Sequence, residues 1–174
     1  TDYNKYLHQP IEASAYAQAK FEAFSLIFNI GVRFDMFDPD GVTLNDPSDP
    51  NINNPLKPEN IAKTMAERES YWYKDAEVKY QLSPRLGLAF PITETGVIHF
   101  SYGHFFQLPP YELLYTNPEF EIGNGSGNQG LFGNADLKPQ KTVKGEIGLK
   151  QQLGSDIAID VTMFFEDFRN LTGT

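Results

Sequence analysis

Ile11-Glu12-Ala13-Ser14-Ala15-Tyr16-Ala17-Gln18-Ala19-Lys20-Phe21-Glu22-Ala23 alternates without a miss. Every odd position is apolar, the even positions Glu12, Ser14, Gln18, Lys20 and Glu22 are polar, and Tyr16 is amphipathic. A strict two-residue period gives a strand one apolar and one polar face. The competing reading is a helix, since Pro10 precedes an Ala-rich run of good helical propensity. A helix of this sequence would mix its faces, so the strand is the better reading. The next stretch repeats the pattern in the other phase. Phe24, Leu26, Phe28, Ile30, Val32, Phe34 and Met36 alternate with Ser25, Asn29, Gly31, Arg33 and Asp35.

Four further stretches follow, so that strands are predicted near 11–22, 24–37, 71–90, 97–106, 141–153 and 157–168. Leu86, Leu88 and Phe90 lie opposite Arg85, Gly87 and Ala89, and Ile98, Phe100 and Tyr102 opposite His99, Ser101 and Gly103. Pro84 cannot donate to a ladder, so irregular pairing is expected there. Val143, Ile147 and Leu149 alternate with Thr142, Lys144, Glu146 and Lys150. Ile157, Ile159, Val161, Met163 and Phe165 alternate with Asp160, Thr162 and Glu166. Lys144, Glu146 and Lys150 are expected to form ion pairs with Asp160 and Glu166 on the next strand.

The connections alternate in length. Joins near Ala23, Pro91–Gly96 and Gly154–Asp156 are tight, whereas 38–70 and 107–140 are long and rich in Pro, Gly, Asn and Asp. Loops of that length are uncommon in compact soluble domains. Short turns on one side and long loops on the other are the habit of an outer-membrane barrel, whose long loops are extracellular. Aromatic residues cluster at the loop-side strand ends: Phe34 and Phe37; Tyr71, Trp72 and Tyr73; Phe105 and Phe106; Phe164, Phe165 and Phe168. Such clusters are expected to form a girdle at the membrane–water boundary. The alternative is that they pack a soluble β core. The fold class predicted is all-β: an antiparallel up-and-down transmembrane barrel segment of about six strands.

Composition agrees without deciding. A mean hydropathy of −0.41 suits a soluble protein, but a barrel with a polar lumen averages to the same value. A net charge of −9 disfavours nucleic acid as a partner. The chain contains no cysteine, which removes disulfides, thiolate metal sites and cysteine catalysis. No uninterrupted apolar run reaches the length of a membrane helix. Thr1–Pro10 has no initiator Met and no signal-peptide pattern, so an interior piece of a longer chain, or a cleaved one, is expected.

Several segments resemble the barrel of TonB-dependent receptors. They are Leu82-Ser83-Pro84-Arg85-Leu86-Gly87, Phe90-Pro91-Ile92-Thr93 and Phe100-Ser101-Tyr102-Gly103-His104-Phe105-Phe106-Gln107-Leu108-Pro109-Pro110. Farther on come Gly133-Asn134-Ala135-Asp136-Leu137-Lys138-Pro139-Gln140-Lys141-Thr142 and Glu146-Ile147-Gly148-Leu149. Ala15-Tyr16-Ala17-Gln18 and Asn29-Ile30-Gly31-Val32-Arg33-Phe34-Asp35 share the same style. The style is similar to that of receptors with a carboxypeptidase-like regulatory extension, of either the Oar-like or the polymer-uptake type. The resemblance implies a bacterial outer-membrane barrel of roughly 22 strands around a plug, importing a nutrient such as an iron chelate, oligosaccharide or peptide. It implies partnership with TonB and ExbB-ExbD through a plug region absent here, contact with outer-membrane lipid, and a possible surface lipoprotein. It implies neither cofactor nor enzymatic activity. An adhesion or display barrel without transport, and a soluble lipocalin-size carrier, are the rival readings.

Residues 1–174 are thus expected to be a partial barrel domain without plug or terminal strand. Tyr111, Glu112, Tyr115, Asn124 and Asn128 are the ligand-contact candidates, because tyrosines and amides on an outer loop stack on and hydrogen-bond to sugars or peptides. Leu113 and Leu114 suggest the alternative of simple anchoring. Asp38, Asp40, Asp46 and Asp49 invite calcium, but Gly41 follows Asp40 directly and breaks the EF-hand spacing, so turn building is the better reading. A short helix is predicted over Pro58–Glu69. His99 and His104, five apart on one strand, fall on opposite faces and share no metal.

Overall fold

The computed structural model describes residues 7–46, 62–116 and 133–172. They form β1 (Ile11–Ala23), β2 (Leu26–Asp38), β3 (Val42–Leu44), α1 (Met65–Trp72), β4 (Tyr73–Asp75) and β5 (Lys79–Thr93). Then come β6 (Gly96–Gln107), α2 (Tyr111–Tyr115), β7 (Gln140–Leu153) and β8 (Ile157–Arg169). The chain divides into two units: one of residues 1–11, 37–79 and 109–138, the other of 12–36, 80–108 and 139–174.

The second unit is a six-stranded sheet in the order β1-β2-β5-β6-β7-β8. Strands consecutive within it pair antiparallel along β5–β6, β6–β7 and β7–β8. The sheet is open, with β1 and β8 as its edges. A self-contained carrier would have to close within these residues, and the described strands do not.

Register fixes the two faces. Leu88 lies opposite Phe100, Phe100 opposite Ile147, and Ile147 opposite Met163, which makes one apolar row across four strands. Gly103 lies opposite both Arg85 and Lys144, and Lys144 opposite Glu166, which makes a polar row on the other face. Ring stacking extends the apolar face, with Phe21 against Phe28 at 4.8 Å and Phe34 against Tyr80 at 6.1 Å. The buried apolar side chains among the described residues are Phe37, Trp72, Leu114, Tyr115 and Ala135, and all five belong to the first unit. The sheet therefore has no buried apolar core. Ile30, Val32, Phe34, Leu82, Phe90, Ile147, Val161 and Met163 are all exposed. An apolar surface of this extent marks contact with something other than water.

The first unit holds the β3–β4 pair, with Val42 opposite Asp75 and Leu44 opposite Tyr73, together with both of the described helices. Its helix α1 begins with a capping box. The Thr64 backbone N–H donates to Glu67 Oε2 at 2.7 Å, and the Glu67 N–H to Thr64 Oγ1 at 3.3 Å. The Thr64 backbone and hydroxyl donors hold the Glu67 carboxyl below the usual carboxylate range.

Three sequence expectations are corrected. The predicted strand 71–90 is three things: Tyr71 and Trp72 end α1, Tyr73–Asp75 pairs with β3, and the sheet strand starts at Lys79. The capping box, not the aromatic run, sets this local structure. The helix predicted over Pro58–Glu69 runs Met65–Trp72 instead, and residues 58–61 lie outside the described residues. Phe24, expected on the apolar face of the second strand, sits in the turn after β1 with φ 51, followed by Ser25 with φ 65. Positive φ at both central residues is the type I′ hairpin geometry. As expected of Pro84, pairing with β6 begins only at Arg85, just past it; a further shift in register lies between Pro91 and Thr93.

The aromatic girdle is also redrawn. Phe37 and Trp72 are buried. Phe105, opposite Thr142, and Phe168, also opposite Thr142, fall on the polar face, as does Phe164 opposite Glu146. Phe34, Phe106 and Phe165 of the expected girdle do fall on the apolar face, where Tyr80 joins them. Position near a strand end does not select a face; parity does.

Candidate functional site

In the first unit, α2 follows Pro110, which has φ −55 and cannot continue a ladder, and puts Tyr111 and Tyr115 one helical turn apart. Their rings meet edge-on at 5.9 Å. Tyr111 stacks on the buried Phe37 at 6.5 Å yet stays 47% exposed, and Glu112 is exposed beside it. Tyr115 is different. It is 7% exposed, its hydroxyl donates to the Pro39 carbonyl, and its ring stacks on His8 at 4.5 Å. Burial, helped by Tyr111, Asp40 and Asp38, pushes its phenol up to about 12. Asn124 and Asn128 lie outside the described residues.

The Asp38 side chain accepts the Asp40 N–H at 3.1 Å, an Asx turn, and Asp40 Oδ2 accepts the Gln9 N–H at 2.6 Å. Asp38 thus builds a turn, and Asp40 ties the segment before β1 to it. Asp49 lies outside the described residues.

The segment after residue 132 closes the unit. The Gly133 N–H donates to the Thr116 carbonyl and the Asn134 N–H to the Leu113 carbonyl, tying this segment to α2. The Asn134 side chain accepts from Thr43 at 3.0 Å, and Asp136 accepts from the Glu77 N–H at 3.0 Å and from Lys79. Burial alone would raise the Asp136 carboxyl. The Lys79 ammonium and Glu77 N–H outweigh it and hold the group below its ordinary value.

A neutral tyrosine bonded to a carbonyl carries a pH signature. With its pKa raised in the folded state, Tyr115 contributes fully below the ordinary tyrosine pKa of about 10 and loses that contribution as pH rises towards 12. Tyr115→Phe is expected to flatten the alkaline limb of stability between about pH 10 and 12, at the cost of the Pro39 hydrogen bond at neutral pH. Denaturant unfolding of the complete membrane-embedded protein across that range measures both effects.

On the sheet, the polar face carries the ion pairs expected from alternation. Lys144 bonds Glu166 at 3.0 Å and Lys150 bonds Asp160 at 3.2 Å, each pair directly cross-strand. His99 approaches Glu146 at 3.3 Å on this face. His104, on the other, meets the Tyr102 hydroxyl at 2.9 Å. Farther along, a groove of about 600 Å³ is lined by Arg33, Arg85 and Lys144 around Gly31, Gly87 and Gly103. Sequence reading missed this groove, although the polar-face glycines at two-residue spacing from Arg33 and Arg85 were its visible trace. None of this arrangement resembles a nucleophile–base pair. It is a wall with a wet side and an oily side.

That two-sided wall agrees with what the chain is similar to. The profile of the family described as TonB dependent receptor-like, beta-barrel, matches residues 2–174. The chain belongs to this family.

As a TonB-dependent receptor barrel it lies in the outer membrane. It is 38% identical over 59 residues to an iron-regulated outer membrane virulence protein of Vibrio cholerae serotype O1, El Tor Inaba N16961. That match covers 34% of this chain and 9% of the relative, so the receptor chain here spans a small part of the curated protein's length. The copper transporter OprC superposes with a TM-score of 0.51 at 13% identity, over 89% of this chain and 21% of that one. This likeness is one of fold. The ferric-catecholate import receptor Fiu of E. coli K12 aligns over 91% of this chain and 21% of its own, with a TM-score of 0.46 and 21% identity.

Proposed function

We propose that this TonB-dependent receptor barrel is an interior stretch of the wall, with external loops, of a receptor that imports a nutrient across the outer membrane. The observation that carries the reading is the sheet without a core, whose apolar face leaves Ile30, Val32, Ile147, Val161 and Met163 exposed and Leu88 and Phe100 half-buried, while its other face holds cross-strand ion pairs. Such a sheet has hydrocarbon on one side and water on the other. On this reading about six strands belong to a barrel of roughly 22, the tight turns face the periplasm and residues 38–70 and 107–140 face outward. Energy for import comes through TonB with ExbB-ExbD acting on a plug elsewhere in the parent chain, and a surface lipoprotein is a possible helper. The wall itself performs no chemistry.

Among nutrients, the local likeness to an iron-regulated outer membrane protein favours an iron chelate over an oligosaccharide or peptide. Tyr111 and Glu112 are the contact residues proposed on the described part of the loop, with Asn124 and Asn128 beyond it. Tyr115 fixes the position of Tyr111 through their edge-on contact. Tyr111→Ala is expected to weaken chelate binding about fivefold, the worth of one ring contact near 1 kcal/mol. Equilibrium binding to cells bearing the complete receptor checks this.

The function is tested by following radioactive ferric chelates into iron-starved cells. Accumulation that requires both the receptor and TonB supports import. Unchanged accumulation without the receptor, with lost attachment to surfaces, would replace import with adhesion.

A further inference from the structure

The groove on the polar face has an unusual charge. Its charged lining residues are Arg33, Arg85 and Lys144, with no carboxylate among them, in a chain whose net charge is −9. Two of the three cations are already paired, Arg33 with Asp35 at 2.8 Å and Lys144 with Glu166 at 3.0 Å. Among the described residues Arg85 is the one lining cation with no carboxylate partner; its guanidinium lies 5.0 Å from the centre of the Phe105 ring.

The positions flanking Arg85 in its row carry no side chain of their own, with the Gln18 side chain 3.6 Å from where a Cβ on Gly31 would stand. Gly103 lies directly opposite it on β6. On the other side, a Cβ placed on Gly87 would sit 3.4 Å from the Asn29 Cβ, so these two residues face one another across β2 and β5. Antiparallel pairing then brings Arg85 beside Gly31, two residues along. The Phe105 ring folds over Gly103, 3.3 Å from where a Cβ would stand, and so supports the guanidinium from below. Lys144 follows in the same transverse row, two strand spacings or about 10 Å from Arg85. The exposed Arg85 therefore presents a rigid fork of five donors, held on an aromatic face, with a second cation nearby and no neighbouring side chain in the row to screen it.

We propose that this glycine clearing is an anion site in the barrel wall, anchored by Arg85, for a small soluble solute carrying two or more carboxylates. One carboxylate takes the Arg85 fork in bidentate fashion, and a second reaches towards Lys144 or Arg33. The site gives the polar face a preference for anionic cargo that the overall charge of the chain would oppose. The inference rests on the reading that this face is wet. Lipid contact at the apolar face is measured independently, so loss of the anion site and loss of the wall are distinguishable.

The test uses the complete receptor in bilayers and phenylglyoxal, which modifies accessible guanidinium groups, with mass spectrometry reporting each arginine. Succinate is expected to slow modification of Arg85 about threefold or more relative to chloride of equal ionic strength, while neutral succinamide does nothing and Arg169, paired with Asp167, is unaffected. Phe105→Leu, which removes the supporting ring from a position that tolerates an apolar side chain, should reduce the protection, and Lys144→Gln should reduce it further. Equal modification in succinate and chloride overturns the proposal. So does an Arg85 that resists the reagent in both, because the groove is then covered by another part of the protein and closed to solutes.

Discussion

Ile147→Arg in the complete receptor is expected to lose about 2–4 kcal/mol of stability in a bilayer, the cost of a cation near the midplane of a barrel's lipid face. Ile147 sits midway along β7 in the apolar row Leu88–Phe100–Ile147–Met163. It is 46% exposed, so the loss cannot arise from overpacking a core. Thr162→Arg is the matched control, one residue from Met163 in sequence and on the opposite face, beside Asp160, whose carboxylate accepts from Thr162 at 3.3 Å. It is expected to change stability by no more than about 0.5 kcal/mol. Denaturant unfolding into and out of vesicles measures both, and equal costs at the two sites would deny the faces their different solvents.

Gly133→Ala is expected to destabilise the first unit by about 3 kcal/mol or more, through overpacking against groups unable to move. A Cβ at Gly133 would lie 2.6 Å from the Leu114 carbonyl carbon and oxygen and from the Thr116 nitrogen, all of them backbone. The same backbone holds the Gly133 N–H and the Asn134 N–H, so relief by displacement breaks the bonds that close the unit. The nearest atoms to a Cβ at Gly145 belong to the ring of Phe165, an exposed side chain that can swing aside, so Gly145→Ala should be milder. Hydrogen exchange of the Leu113–Thr116 amides reads the first change locally. Protection unchanged from the parent would show that this closure contributes little.

The sheet was legible because its signal is one of parity, and parity survives without coordinates. The ion pairs Lys144–Glu166 and Lys150–Asp160 could be anticipated because alternation put all four residues on one face of adjacent strands. Where the structure departs from the alternation, apolar content coincides with a second local signal that parity does not carry. Phe24 continued an apolar series into a turn, since periodicity is blind to the sign of φ. The run Tyr71-Trp72-Tyr73 read as strand, although Thr64 and Glu67 stood at capping-box spacing upstream and were the stronger signal. Phe105, Phe164 and Phe168 were grouped by position along the strand when their parity already assigned them to the wet face.

The loop unit was less legible for a different reason. Tyr111 and Tyr115 carry the same chemistry in the sequence, but the hydrogen bond from Tyr115 to Pro39 spans 76 residues and its stacking partner His8 comes from a distant segment. Nothing local distinguishes a tyrosine that is consumed in packing from one left open to solvent. Arg85 is similar. Its glycine neighbours Gly31 and Gly103 belong to different strands, and only register brings them to its sides.

The central claim is that one face of the six-stranded sheet meets hydrocarbon and the other meets water. The most direct measurement places a spin label on single cysteines at Phe28, Val32 and Ile147, and at Ser101 and Thr162 on the opposite face, in a chain that otherwise has no cysteine. In bilayers, labels at the first three sites should collide readily with oxygen and poorly with a water-soluble nickel chelate, and labels at the last two should show the reverse. Water-exposed or protein-buried labels at all three apolar sites would contradict the account.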